Sequence, residues 1–139
     1  MPQADVDRLR MALLRLARRI RVNAEGALTP SQHTLMISVL KYEPCTVSEL
    51  AEHEHVKPPS ASKIVAALEE RGLVARSNDP LDRRRSVITS TEAGHAYLEH
   101  FRASTRTWLG SQLANLDTAE IDAIGAALPA LERLVGSGG

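Results

Sequence analysis

The chain has 139 residues, 43% hydrophobic and 3% aromatic, with 17 basic and 17 acidic side chains and a formal net charge of zero. That length holds one domain of ordinary size, or a small domain with helices that need a partner, and the apolar content excludes wholesale disorder. A single cysteine excludes an intrachain disulfide and fits a reducing cytoplasm; no apolar run reaches a membrane span, and the start Met1-Pro2-Gln3-Ala4-Asp5 is not a signal peptide.

The neutral total hides an uneven distribution. Residues 57–85 carry seven basic and four acidic side chains, a net +3, whereas residues 86–139 carry three basic and six acidic, a net −3. A nucleic acid responds to the local field, so the total does not exclude one.

From Asp5 to Asn23, Val6, Leu9, Leu13, Leu16, Ala17 and Ile20 recur at the spacing of an amphipathic helix, with Arg8, Arg15, Arg18, Arg19 and Arg21 on its other face as a solvated surface. Thr29-Pro30-Ser31-Gln32 joins a capping box to a proline at the first helical position, opening a helix to Tyr42 that buries Leu35, Met36, Val39 and Leu40. Thr46-Val47-Ser48-Glu49 is a second capping box, for a short helix to His53. After the turn Glu54-His55-Val56, Pro58 begins a fourth helix that Gly72 ends as a left-handed cap. Ala61, Ile64, Val65 and Leu68 face its core side; Ser60, Lys63 and Ala67 lie on another face, with Lys57 and Pro59 at the entry.

Leu73–Ser77 and Ser86–Ser90 read as two short strands, with turn chemistry at Asn78-Asp79-Pro80-Leu81-Asp82 between them. Thr91 caps a long fifth helix to Leu113. Asp117 and Glu120 form a third capping box, and Ile121, Ile124, Leu128, Leu131 and Val135 make a coiled-coil-like seam, with a kink expected at Pro129. Gly136-Ser137-Gly138-Gly139 reads as a frayed end.

Two helices joined by a tight turn and followed by a basic hairpin predict a mainly α protein with a small β-hairpin (α+β), in which a winged helix-turn-helix reads duplex DNA. A helix fits the major groove, and exposed residues near its N-terminus meet base edges. Here those are Lys57, Pro59, Ser60, Ser62 and Lys63. None is the Arg, Asn or Gln that gives the sharpest base discrimination, so the wing and DNA shape carry much of the specificity. Arg83, Arg84 and Arg85 at the wing suit a narrow minor groove. Insertion falls to Arg83 or Arg85, with Arg84 structural through an ion pair to Asp82. Thr46, Ser48 and Arg76 are candidate phosphate contacts.

At this point the sequence resembles the multiple antibiotic resistance regulator (MarR) family of bacterial transcription factors. The resemblance rests on Ser48-Glu49-Leu50-Ala51, on Leu68-Glu69-Glu70-Arg71-Gly72-Leu73-Val74-Ala75-Arg76, on Asp79-Pro80-Leu81-Asp82-Arg83-Arg84 and on Thr91-Glu92-Ala93-Gly94. The wing block is the more specific, and the match extends over essentially the whole chain, 1–139. One departure is Ser90, where the family usually has Leu; the expected effect is a looser wing anchor.

The resemblance implies a DNA-binding region over 29–91 and dimerisation helices over 5–23 and 92–135, with Leu9, Leu13, Ile121, Ile124, Leu128 and Leu131 at the dimer interface. It implies a homodimer on a pseudo-palindromic operator, acting as a repressor that a small aromatic or phenolic acid relieves. Arg15, Arg19 and His33 are candidate partners for such an acid, near the first, second and fifth helices. No cofactor or metal is implied: His53 and His55 have poor zinc spacing and read as polar residues flanking the turn. No catalytic arrangement or phosphate loop is present, so no enzyme is expected. Two alternatives stay open. One is a protein–protein adaptor built on the same fold. The other is a redox-responsive regulator using Cys45, although a small buried hydrophobe is the better reading of that residue.

Overall fold

The computed structural model describes residues 1–136, so the expected frayed end lies outside the described residues beyond Gly136. The elements are α1 (Gln3–Val22), α2 (Pro30–Tyr42), α3 (Val47–His53), α4 (Pro58–Glu70), β1 (Val74–Asn78), β2 (Ser86–Ser90), α5 (Glu92–Leu113) and α6 (Thr118–Gly136). The chain divides into two compact units, one of Ala24–Ser104 and one of Met1–Asn23 with Thr105–Gly139. No helix among the described residues is long and apolar enough to cross a membrane.

Local chemistry sets the boundaries in the first unit. Thr29 Oγ1 accepts the Gln32 N–H at 3.2 Å, and Gln32 Oε1 accepts the Thr29 N–H at 3.1 Å. Thr46 and Glu49 repeat this reciprocal cap at 3.1 and 3.3 Å. Such an N-cap stabilises by about 1 kcal/mol. The helix α4 ends in a Schellman motif: Gly72 has φ +74°, its N–H bonds to Glu69 O, and the Leu73 N–H bonds to Leu68 O at 3.0 Å. The core gathers Leu35, Met36 and Val39 of α2, Leu50 of α3, Val65 and Leu68 of α4 and Ile88 of β2, all buried. Leu40 and Ile64 pack against it half-buried.

The hairpin is antiparallel, pairing Val74 with Ser90 and Asn78 with Ser86. Its first strand begins one residue later than the apolar run suggests. A feature unseen in the sequence is a bridge on the other side of β2: the Ile88 N–H bonds to Cys45 O at 2.7 Å and the Cys45 N–H to Ile88 O at 3.3 Å. The segment ahead of α3 thus adds a short third pairing that ties the wing to the helix-turn-helix.

The far end of the hairpin is held by α5. The Thr91 N–H bonds to Leu73 O at 3.2 Å, and Thr91 Oγ1 donates to Gly72 O at 2.6 Å while accepting the Gly94 N–H at 3.0 Å. The helix approaches so closely that a Cβ at Gly94 would lie 2.3 Å from Leu73 O. At Ser90, where a looser wing anchor is expected, the side chain has polar partners. Its hydroxyl lies 2.7 Å from Glu43 Oε2 and 3.0 Å from His95 Nε2, and its N–H donates to Glu43 Oε1 at 3.2 Å. Ser90 thus clamps the end of β2 to Glu43 and to His95 of α5.

In the second unit α1 and α6 contain no buried residue. Asp117 and Glu120 form the expected reciprocal cap at 2.8 and 2.9 Å. Pro129 lies inside α6, and the helix continues through it to Gly136. The Arg19 guanidinium sits 5.2 Å from the centre of the Trp108 ring.

Candidate nucleic-acid interface

The turn between α3 and α4 is short because it is closed by backbone bonds. The Val56 N–H bonds to Ala51 O at 3.0 Å, and His55 takes the left-handed conformation at φ 54°. Burial of Ala61, Val65 and Leu68 then fixes the rotation of α4. Rotation in turn decides which side chains remain outside: Lys57, Pro59, Ser60, Ser62 and Lys63 are all exposed. Lys57 is the N-cap residue and makes no side-chain cap.

The three wing arginines differ sharply in what they touch. Arg84 Nε lies 3.4 Å from Asp82 Oδ1, which also accepts the Arg84 N–H at 3.1 Å, so the expected Asp82–Arg84 pair is present. The Arg84 side chain is nevertheless 93% exposed. Arg85 points inward: its Nη1 bonds to Asp79 Oδ2 at 2.9 Å and its Nη2 to Glu49 Oε1 of α3. Its guanidinium already has two carboxylate partners, unlike those of Arg83 and Arg84. Arg83 is exposed and belongs to no ion pair among the described residues.

Asp79 and Arg85 reinforce each other. The Leu81 N–H and then the Arg85 guanidinium hold the Asp79 carboxyl below its ordinary range, and the bond to Asp79 raises Arg85. The Asp79 N–H also bonds to Arg85 O at 2.8 Å, closing the loop of the wing. Glu49 serves both the α3 cap and Arg85. Sequence reasoning named Asp79 only as turn chemistry and Glu49 only as a cap, since nothing in their spacing reveals a pairing across 36 residues.

The remaining candidates are scattered. Thr46 Oγ1 is engaged in its cap, Ser48 is exposed, and Arg76 Nε lies 3.4 Å from Glu69 Oε1. His53 stacks flat on Tyr42 with ring centroids 3.6 Å apart. Arg15 and Arg19 lie on α1 in one unit; His33 lies on α2 in the other, with its ring 4.3 Å from that of Phe101 and its Nδ1 3.4 Å from the Tyr97 hydroxyl. Cys45 is 1% exposed, and burial, then Glu49 and Glu43, push its thiol up to about 11. A protonated, enclosed sulfur is a poor nucleophile toward oxidants, which argues against the redox alternative.

A helix-turn-helix continued by a basic hairpin defines a winged-helix DNA-binding fold. Residues 28–86 match the MarR family. The uncharacterized HTH-type transcriptional regulator Mb0904 of Mycobacterium bovis is 30% identical over 128 residues, covering 91% of this chain and 90% of the relative. The HTH-type transcriptional repressor MdtR of Bacillus subtilis is 30% identical over 93 residues, 67% of this chain and 60% of that protein. Among solved structures, a putative transcriptional regulator of Pseudomonas aeruginosa superposes with a TM-score of 0.82 at 27% identity, covering 96% of this chain and 98% of that one. A mutant of MepR from S. aureus bound to an oligodeoxyribonucleotide shares the fold at a TM-score of 0.68 and 19% identity, over 97% and 99% of the two chains. The chain belongs to the MarR family and is a transcriptional regulator, not an enzyme.

Proposed function

We propose that this regulator is a cytoplasmic homodimeric repressor that binds a pseudo-palindromic operator and is released by a small-molecule ligand. The observation that carries the reading is the division of the basic side chains. Lys57 at the N-cap of α4, Lys63 within it and Arg83 on the wing are exposed and belong to no ion pair among the described residues. In this reading Lys57, Ser60 and Lys63 approach bases in the major groove, with Pro59 and Ser62 shaping the contact. Arg83 enters the minor groove, Arg84 joins it by leaving an exposed pair, and Arg85 braces the wing. Ser48, Thr46 and Arg76 meet phosphates.

Dimerisation is supported by apolar surface that the single chain leaves uncovered. Leu13, Ile121, Ile124 and Leu128 are 43%, 38%, 42% and 48% exposed, while Leu9 and Leu131 are half-buried. Apolar faces of this extent favour a partner, and two-fold symmetry matches two half-sites. Repression is supported by the name of the Bacillus subtilis relative. A small aromatic or phenolic acid is the effector class that the family resemblance implies.

The test is binding of the purified protein to DNA from its own upstream region at two salt concentrations, with and without salicylate. Selective, salt-sensitive binding that salicylate weakens is expected. Selective binding that salicylate leaves unchanged overturns the effector class. Binding without sequence selectivity or salt dependence on any DNA from a random library overturns the operator reading in favour of an adaptor.

A further inference from the structure

A second feature of the Ala24–Ser104 unit takes no part in this reading. A cleft of about 230 Å³ opens between the start of α2, the turn before α4 and the body of α4. It is lined by Pro30, Thr34, Leu35, Glu54, Val56 and Ile64, and Glu54 is the one charged residue in its wall. Leu35 is buried and Ile64 half-buried, so the floor is apolar.

Glu54 is held in place from behind. One carboxylate oxygen accepts the hydroxyl of Ser38, itself 4% exposed. Among the described residues Glu54 belongs to no ion pair, although its side chain is half-buried. The carboxylate faces the cleft without a counter-ion among the described residues, and a cation entering the cleft supplies one. The same charge repels a carboxylate ligand. The volume lies below the roughly 300–1,000 Å³ of drug-sized sites, which limits an occupant to one ring or a short branched chain.

We propose that this cleft binds a small apolar cation, a protonated amine whose ammonium pairs with Glu54 while its apolar body lies on Leu35, Val56 and Ile64. The cleft borders the turn that starts α4, so the occupant touches Val56, one residue before Lys57.

The experiment is a titration of the isotopically labelled full chain followed by amide and methyl NMR, at neutral pH and without DNA. Benzylamine is the probe; benzyl alcohol and benzoate are the neutral and anionic comparisons. Saturable shifts at Thr34, Val56 and Ile64 are expected with benzylamine alone. Glu54→Gln, which keeps an acceptor for Ser38, is expected to weaken binding at least tenfold. Thr34→Trp closes the exposed mouth, leaves the Ser38–Glu54 bond intact and is expected to abolish it. Equal binding of benzyl alcohol, no saturable shift at those residues, or indifference to both variants overturns the proposal. Because the readout needs no DNA, its failure and that of the operator reading are told apart.

Discussion

Gly94→Ala tests the packing that anchors the wing. A Cβ at this position meets Leu73 O at 2.3 Å and the Met36 Cε methyl at 2.8 Å. The methionine can rotate away, but the carbonyl cannot, since Leu73 is buried and its oxygen accepts the Thr91 N–H at 3.2 Å. Relief requires α5 to move off the hairpin by about 1 Å, an overpacking that costs about 1–3 kcal/mol and falls toward the upper end where backbone is the obstacle. Alanine in a helix returns about 1 kcal/mol over glycine. The net loss is about 1–2 kcal/mol, or roughly 3–7 °C in Tm for a chain of this size. Urea and thermal unfolding at one fixed protein concentration measure it. Gly110, on the same helix, has nothing within 4 Å of its ideal Cβ, so Gly110→Ala is expected to be neutral or stabilising. If Gly94→Ala is as stable as the parent, the close approach of α5 to Leu73 is wrong.

Other substitutions separate the roles of the basic side chains and of the two units. Lys63→Ala is expected to weaken operator binding by about 1–3 kcal/mol and non-specific binding much less; an equal loss on every sequence assigns Lys63 to phosphate instead. Arg83→Ala is expected to lower the slope of log affinity against log salt by about 0.9 per protomer. Arg85→Ala is expected to loosen the hairpin, seen as faster amide exchange at Ser86–Ser90, and a wing that stays equally protected refutes the brace. Cys45 is expected to resist iodoacetamide until the chain unfolds; because its thiol is raised from about 9 to about 11, its share of stability is complete below pH 9 and lost as pH rises through 11. Leu131→Asp is expected to yield monomers in analytical ultracentrifugation, and an intact dimer removes the C-terminal seam from the interface.

The fold was legible in the sequence wherever a local rule was strong. Three capping boxes, at Thr29, Thr46 and Asp117, mark helix starts because a side chain and an amide three residues apart satisfy each other without help from the rest of the chain. Gly72 marks the end of α4 for an equally local reason, its positive φ. The exposed set on α4 followed from periodicity once Ala61, Val65 and Leu68 were assigned to the core. What escaped is long-range. The Cys45–Ile88 bridge, the Glu43–Ser90 clamp and the Arg85–Glu49 pair join residues 36 to 47 positions apart, and pattern carries no record of such partners. The sequence left Arg83 and Arg85 undistinguished for that reason: the two are chemically identical, and only the position of Asp79 and Glu49 separates them.

That distinction also explains how a chain of zero net charge presents a basic surface. Within residues 57–85 three of the four carboxylates are committed: Glu69 to Arg76, Asp79 to Arg85 and Asp82 to Arg84. Arg71 packs 6.0 Å over the Tyr97 ring and bonds to Gly26 O. The uncommitted cations are Lys57, Lys63 and Arg83. A cation already paired must lose its partner before it gains on DNA, so its net contribution is small. The Asp82 pair is the exception, because exposed pairs contribute only about 0–1 kcal/mol and one at a 93% exposed arginine is easily exchanged for a phosphate. Arg85, shared between two carboxylates from the wing and α3, is not exchanged so easily. The segment thus commits its acidic residues to shape and leaves unpaired positive charge at Lys57, Lys63 and Arg83, the three cations that the proposed function assigns to DNA.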